Sequence, residues 1–138
     1  MKTFEVRVIA IDKMFYAGTC KQLIVSAVDG SMGIMAHYES SVVVLVEGPL
    51  RIQLEDDSWL EAVAGVGHVR VEGNMVTVLV DFAEKPEDID ELRAQAALER
   101  AEEAMRQKQS IQEYHMSQAN IARAMARLAV KKGYIRRK

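Results

Sequence analysis

The spacing of the apolar residues changes once along the chain, at Pro86, and this change constrains the fold more than any other feature. Before Pro86, short runs rich in β-branched residues alternate with turn signals about every ten residues. After Pro86, apolar residues recur every three or four positions, as they do along one face of a helix. The sequence therefore predicts an α+β protein with two domains, residues 1–86 and residues 87–138.

The first domain is predicted to be an antiparallel β-sandwich. Phe4, Val6 and Val8 alternate with charged residues, which is typical of a half-buried strand. Further runs with strand character are 23–25, 42–46, 50–54, 59–63, 68–71 and 75–80. Turn signals lie at 17–18, 29–30, 47–49, 56–58 and 72–74. Many short strands with regularly spaced turns are typical of a sandwich or a flattened barrel.

The second domain is predicted to be an antiparallel helical hairpin. The first helix is expected to start near Asp88, with Glu91 placed three residues later as in a capping box. The second is expected to start at a capping box beginning with Ser110 and to end at 131–133, where two lysines precede a glycine. A short connection at 107–109 favours antiparallel neighbours.

Apolar residues define the expected buried faces of both helices. On the first helix, one line is Ile89, Leu92 and Ala96, and an adjoining line is Ala94, Leu98, Ala101 and Met105. On the second helix the stripe is Ile111, Tyr114, Gln118, Ile121, Met125 and Leu128. Because buried alanines contribute little hydrophobic free energy, we expect a close but weak seam between the helices. A weak interface lets the two helices separate, so the hairpin can serve as an element with two conformational states.

The sequence lacks the residues that a disulfide, a cysteine-based metal site or a known catalytic motif would require. The single cysteine, Cys20, rules out an internal disulfide and any cysteine-based zinc site, and the histidines have no ligand-like spacing. We find no phosphate-binding glycine loop and no nucleophile motif. We therefore expect a protein that is not an enzyme and needs no cofactor. The longest aliphatic run is 42–46 and the first residues have no apolar segment, so we expect a cytoplasmic protein that does not span the membrane.

Four arginines of the hairpin are candidates for binding an anion. Arg93 and Arg100 are seven residues apart and share a face of the first helix, and Arg123 and Arg127 are four apart on the second. If the chain turns near Lys108, Arg93 and Arg123 face each other. Guanidinium groups arranged in this way fit a polyphosphate, because their paired donors match phosphate oxygens. The spacing alone favours another interpretation, a solvated basic face paired with neighbouring glutamates, and both stay open at this point.

Charge is distributed unevenly between the two predicted domains. The net charge is −5 over residues 1–86 and +3 over residues 87–138, and no acidic residue follows Glu113. A basic hairpin permits a third hypothesis, an adaptor that binds nucleic acid with steep salt dependence. The acidic first domain and the few aromatic residues argue against it, so we expect no nucleic-acid partner.

Six segments, in this order and spacing, resemble the epsilon subunits of F-type ATP synthases over almost the whole chain. They are residues 4–8, 15–18, 29–36, 48–52, 76–84 and 89–94. The sequence departs from the family's pattern at Tyr38, at Ser40, and at Val66-Gly67, where a glycine pair is usual. These departures concern the contact surface of the sandwich.

The resemblance implies a subunit of the central stalk that couples ion translocation, such as hydrogen ion transport, to ATP synthesis. Its implied partners are the gamma subunit, the membrane c-ring, and the beta and alpha subunits of the catalytic hexamer. Membrane contact occurs only through the complex, on the cytoplasmic face of the cell membrane. In the family, the hairpin folds against the sandwich or extends along gamma, and the extended state inhibits ATP hydrolysis.

The resemblance also implies that ATP is a regulatory ligand, which is bound but not hydrolysed. The motif Ile-Asp-x-x-Arg-Ala is present as Ile89, Asp90, Arg93 and Ala94. The further matching positions are Glu84, Arg100, Arg123 and Arg127. In this implied site Glu84 and Asp90 accept from the adenine amino group, Ile89 and Ala94 contact the base, and the arginines hold the phosphates. The alternative within the family is a purely mechanical hairpin whose arginines pair only with carboxylates of neighbouring subunits.

Overall fold

A computed structural model of the protein describes residues 2–107 and 111–137. The chain divides into two compact units, Met1–Lys85 and Pro86–Lys138. The first unit is built from strands and the second from helices. The predicted fold class, a β-sandwich followed by a helical hairpin, is confirmed.

The strands of the first unit form the two layers of the sandwich. In the described part of the chain they are Phe4–Ala10 (β1), Met14–Cys20 (β2), Gln22–Ala27 (β3), Gly30–Met35 (β4), Ser41–Leu45 (β5), Gly48–Gln53 (β6), Trp59–Ala64 (β7), Gly67–Glu72 (β8), Met75–Val80 (β9) and Ala83–Glu84 (β10). Their order is β10-β7-β6-β3-β5-β8-β9-β1-β2, with β4 paired to β3. A single residue pair, Ala27 with Leu45, joins β3 to β5. The core lies between the layers and is rich in valine, leucine and isoleucine.

One pairing departs from the expected antiparallel arrangement. Strands β1 and β9 run parallel, with Val6 opposite Val76 and Val8 opposite Val78. These strands are far apart in sequence, so no hairpin turn fixes their relative direction. Every other pairing among the described strands is antiparallel.

Three strands were not predicted, and in two of them glycine hid the strand pattern. The turn predicted at 17–18 is wrong, because both residues lie inside β2. A Cβ at Gly18 would come within 2.9 Å of the Tyr16 hydroxyl, so the tyrosine side chain fills the space beside the glycine. Strand β4 contains Gly30 and Gly33, which lower its apparent strand propensity. Strand β10 has only two residues and is too short to show a period.

The second unit contains a 3₁₀ turn at Pro86–Asp88 and the helices Glu91–Gln107 (α1) and Ile111–Arg137 (α2). The predicted start near Asp88 is wrong by a few residues, because that residue ends the 3₁₀ turn. Asp90 caps α1 instead, since its Oδ1 accepts a hydrogen bond from the Arg93 backbone N–H at 3.1 Å. The Ser110 capping box begins outside the described residues.

The predicted end of the second helix is also wrong. Helix α2 continues through Gly133 to Arg137. A glycine inside a helix costs only about 1 kcal/mol relative to alanine. No proline follows it to force a stop.

Small residues dominate the buried positions of the two helices. On α1, Ala94 and Ala101 are buried, whereas Leu92 is 83% exposed, so the second of the two predicted lines is the buried one. The stripe predicted on α2 is largely wrong. Met125 is 56% exposed, and Ser117, Ala124, Leu128 and Val130 are the buried residues. Two helices approach closely where their side chains are small, so the seam selects alanine and serine over the larger residues of the predicted stripe.

Candidate functional site

A cleft between α1 and α2 is the candidate site of the second unit. Its volume is about 350 Å³. Its lining residues are Ala97, Arg100, Ala101, Ala104, Ser117, Asn120, Arg123, Ala124 and Arg127. Alanines and polar residues from both helices line it. The size lies within the range of small-molecule sites.

Three arginines line this cleft. Arg100 comes from α1, and Arg123 and Arg127 come from consecutive turns of α2. Among the described residues that line the cleft, none is acidic. The Arg123 guanidinium donates a hydrogen bond to Asn120 Oδ1, which orients its fork along the helix. The arrangement creates a positive potential that an anion would relieve, and arginine forks match phosphate oxygens well.

Arg93, the fourth predicted arginine, does not line this cleft. It is exposed and lies seven residues before Arg100, which is about 10 Å along the helix axis. The expected pairing of Arg93 with Arg123 is therefore wrong for this cleft, and Arg100 takes its place.

The predicted adenine-contacting residues lie at the beginning of the helical unit and at the end of the sandwich. Ile89 and Ala94 are buried, with 4% and 6% of their surface exposed. Asp90 is exposed and caps α1. Glu84 lies on β10, opposite Val63 of β7, in the first unit. The structure thus brings Arg100, Arg123 and Arg127 to one cleft, and both phosphate binding there and the adenine contacts stay predictions.

Two residues of the cleft, Ser117 and Asn120, were missed by the sequence analysis. Ser117 is 5% exposed and is the one buried polar side chain among the described residues. Neither residue belongs to the motif that suggested the ATP site. Helical spacing could have revealed both residues. Positions three or four apart share a face of a helix, and this spacing links Ser117, Asn120, Ala124 and Arg127 on α2.

The sandwich carries a separate surface feature, which we name the apolar row. Its side chains share the outer face of five neighbouring strands, since each residue is the register partner of the next. The apolar row consists of Val44, Leu79, Ile9 and Met14, and the polar His68 lies between Val44 and Leu79. Val44 is 63% exposed and Met14 is 53% exposed. Apolar side chains gathered on a surface mark an interaction site more often than scattered ones do.

The titratable and ligand-type residues outside the cleft show no comparable grouping. Within the described ranges, no three His, Cys, Asp or Glu side chains lie close enough to hold a metal ion. Cys20 is buried, and this desolvation raises the pKa of its thiol to about 12. No helix in residues 2–107 and 111–137 is long and apolar enough to cross a membrane.

Together, the two units define a class of two-domain protein in which a β-sandwich is joined to a helical hairpin with a basic cleft. A family model described as "ATP synthase, Delta/Epsilon chain, beta-sandwich domain" matches residues 3–86. A second, "ATP synthase, Delta/Epsilon chain, long alpha-helix domain", matches residues 87–132. The chain belongs to the ATP synthase delta/epsilon chain family, which confirms the resemblance found in its sequence.

Individual relatives agree with this assignment. The chain is 41% identical over 129 residues to an ATP synthase epsilon chain of Ruminiclostridium cellulolyticum, covering 94% of this chain and 96% of the relative. It is 40% identical over 134 residues to an ATP synthase epsilon chain of Caldanaerobacter subterraneus subsp. tengcongensis, covering 96% of each. A chain in the Euglena gracilis mitochondrial ATP synthase has the same fold, with a TM-score of 0.76 at 19% identity, over 94% of this chain and 79% of that one.

Proposed function

We propose that this protein is a regulatory subunit of an ATP synthase central stalk and that its hairpin binds ATP as a signal. The observation that carries the ATP-binding proposal is the cleft lined by arginines from both helices. Arg100 on α1 and Arg123 and Arg127 on α2 hold one phosphate chain between them. The bound nucleotide acts as a bridge between two helices whose own seam is mostly alanine.

The energetic argument follows from binding linkage. A ligand that binds only the closed hairpin stabilises it by RT ln(1 + [L]/Kd), which is about 2.7 kcal/mol at a hundredfold excess over Kd. The alanine-rich seam provides little hydrophobic free energy by comparison with a leucine-rich one. ATP therefore shifts the hairpin towards its closed state, and nucleotide depletion releases it. No hydrolysis occurs at this site, and the chain is a non-catalytic subunit.

The base-binding part of the proposal comes from the family motif. Ile89 and Ala94 contact the adenine ring, and Asp90 accepts from its amino group. Glu84 and Arg93 are the remaining residues that the family resemblance assigns to this site. The position of Asp90 at the α1 N-terminus supports this assignment, because its cap bond uses Oδ1 and a carboxylate has further acceptor capacity.

The sandwich has the coupling role in this proposal. Its apolar row docks the gamma subunit, and the unit also contacts the c-ring, so that the chain turns with the rotor during ion translocation. The released hairpin reaches the beta and alpha subunits and inhibits ATP hydrolysis. The chain then lies at the cytoplasmic face of the membrane as a peripheral subunit. Support comes from the exposed apolar residues of the row and from relatives that are ATP synthase epsilon chains.

The direct test is isothermal titration of the full chain with ATP, with AMP and GTP as comparison ligands. We expect saturable binding of ATP, weaker binding of AMP because fewer phosphates reach the arginines, and a rise in thermal midpoint with ATP. An assay of the isolated chain for phosphate release is expected to give none. Absence of both binding heat and a thermal shift with ATP would contradict the sensor function and leave a mechanical hairpin.

Regulation is tested in the assembled complex. Truncation after Pro86 removes the hairpin and keeps the sandwich with the apolar row. We expect the truncated chain to assemble and ATP hydrolysis to rise when ATP is scarce. Failure of assembly would show that the hairpin is needed to hold the complex together.

A further inference from the structure

We infer that Asn120 is a positioning residue that holds the Arg123 guanidinium in the orientation needed by the phosphate chain, an inference that rests on the proposed function. The side-chain oxygen of Asn120 accepts a hydrogen bond from the Arg123 guanidinium. Both residues line the cleft between α1 and α2. Asn120 acts on the ligand through Arg123 and is not itself a phosphate ligand.

The hydrogen bond joins two neighbouring turns of α2. Positions three apart on a helix share a face, so a short side chain at position 120 reaches the guanidinium of Arg123. Asparagine is a poorer helix former than alanine, because its side chain competes for backbone hydrogen bonds. Asn120 is exposed and lies well inside α2, so neither burial nor helix capping accounts for an asparagine at this position. Its hydrogen bond to Arg123 does account for it.

The hydrogen bond leaves most of the guanidinium available to a ligand. An arginine carries five N–H donors in a planar fork, and Asn120 accepts from one nitrogen of Arg123, Nη2. A phosphate group can accept from the remaining donors in a bidentate manner. An arginine that is already oriented loses less conformational entropy when the phosphate binds. The asparagine therefore raises affinity without contacting the nucleotide.

An amide is the acceptor that suits this cleft. A carboxylate at position 120 would hold Arg123 more strongly, but it would neutralise the arginine and repel the phosphate chain. No carboxylate belongs to the described lining of the cleft, whereas Arg106, outside that lining, pairs with the Glu103 carboxylate. The Asn120 oxygen orients one arginine of the cleft and leaves its positive charge to the anion.

The test is isothermal titration of the full-length wild type and Asn120→Ala with ATP and with inorganic triphosphate. We expect Asn120→Ala to weaken the binding of both ligands about fivefold, which is the size expected when one long side chain must be ordered on binding. The same comparison is then made in two backgrounds. In Arg123→Ala, removal of Asn120 should have no further effect, whereas in Arg100→Ala the loss should stay about fivefold.

Gln118→Ala is the matched control. Gln118 is an exposed amide on the same helix, donates to the Tyr114 hydroxyl at 3.3 Å, and does not line the cleft. Its substitution should leave the affinity for both ligands unchanged. Thermal unfolding without ligand completes the comparison, and Asn120→Ala should unfold at the wild-type temperature or slightly higher, because alanine favours the helix.

The outcomes separate this inference from the proposed function. Equal affinity of wild type and Asn120→Ala for both ligands would overturn the inference and leave ATP sensing intact. An undiminished loss in the Arg123→Ala background, or a lower unfolding midpoint of unliganded Asn120→Ala, would also overturn it. Wild type that binds triphosphate but not ATP would defeat ATP sensing, while a loss that depends on Arg123 would still support the positioning role. Wild type that binds neither ligand would defeat both.

Discussion

The side-chain oxygen of Asn74 accepts a hydrogen bond from the backbone N–H of His37 at 2.8 Å, although the residues are 37 positions apart. The amide nitrogen of Asn74 donates to the Thr3 carbonyl at 3.0 Å. Gly73 and Asn74 form the two-residue turn between β8 and β9, and both have positive φ, as a type I′ turn requires. One side chain thus connects this turn, the segment after β4 and the start of the first strand.

We predict that Asn74 stabilises the sandwich both through its side chain and through its backbone conformation. Asn74→Gly keeps the positive φ but removes both hydrogen bonds, which should lower the free energy of unfolding by about 1–3 kcal/mol. Asn74→Ala removes the same bonds and adds about 1 kcal/mol of left-handed strain. Urea unfolding of wild type, Asn74→Gly and Asn74→Ala measures the contribution of the hydrogen bonds and that of the backbone strain. Equal stabilities of the glycine and alanine variants would show that the turn conformation contributes nothing.

Gly67 is predicted to be required by a close approach of two strands. A Cβ at this position would overlap with the backbone of Leu79 and lie 2.8 Å from the Cα of Val80. Because neither group can rotate away, Gly67→Ala should cost about 1–3 kcal/mol through overpacking. Gly33→Ala is the control, since its nearest neighbour is the flexible end of Gln22 at 3.3 Å. Thermal unfolding should show a large loss for the first variant and little change for the second.

The sequence predicted the fold class and most strands because burial on one face produces a period of two. In β1, for example, Phe4, Val6 and Val8 are buried, while Glu5 and Arg7 are exposed. It did not predict β2 or β4, where glycine is tolerated because neighbouring strands fix the backbone. The parallel pairing of β1 with β9 depends on contacts between distant residues, which no local pattern contains.

The sequence predicted which type of residue forms the candidate site, but not how the two helices align to form it. The sequence marked four arginines as candidates for binding an anion, and three of them line one cleft. It could not identify which α1 arginine takes part, because that depends on how the two helices slide and rotate against each other. The predicted buried face of α2 did not include Ser117, because large apolar residues such as Met125 indicated a different face of the helix.

Lys131 is predicted to hold the end of the hairpin to its beginning. Its Nζ donates to the Pro86 carbonyl at 3.0 Å, and the Ile89 backbone N–H donates to the same carbonyl at 3.2 Å. Lys131→Met removes the ammonium group and keeps a similar length, so the 3₁₀ turn should open more often. We expect about fivefold faster hydrogen exchange at the Ile89 amide, equivalent to about 1 kcal/mol. Lys132→Met, at an exposed position, should leave this rate unchanged, and an unchanged rate in Lys131→Met would contradict the prediction.

Cys20 is predicted to make the sandwich less stable at high pH. Burial, and to a smaller extent the nearby Glu5 carboxylate, raises the pKa of its thiol from about 9 to about 12. The unfolded chain therefore loses this proton at lower pH than the folded one. The contribution to stability is complete below pH 9 and is lost as the pH rises towards 12. Wild type should lose stability more steeply than Cys20→Ala between pH 9 and pH 11, and parallel curves would show that the thiol does not titrate in this way.

Arg100 is predicted to contribute more to ATP affinity than Arg93, although only Arg93 belongs to the Ile-Asp-x-x-Arg-Ala motif. Arg100 lines the cleft with Arg123 and Arg127, and Arg93 lies about two turns away on the same helix. Since a charge-assisted hydrogen bond contributes roughly 1.5–3 kcal/mol, Arg100→Ala should weaken ATP binding by tenfold or more. Arg106→Ala, at an exposed position that pairs with Glu103 at 3.3 Å, is the control for the loss of one positive charge. Titration should rank the losses as Arg100 first, then Arg93, then the control. A larger loss with Arg93→Ala would mean that the nucleotide binds nearer to the start of α1, with the cleft arginines in a secondary role.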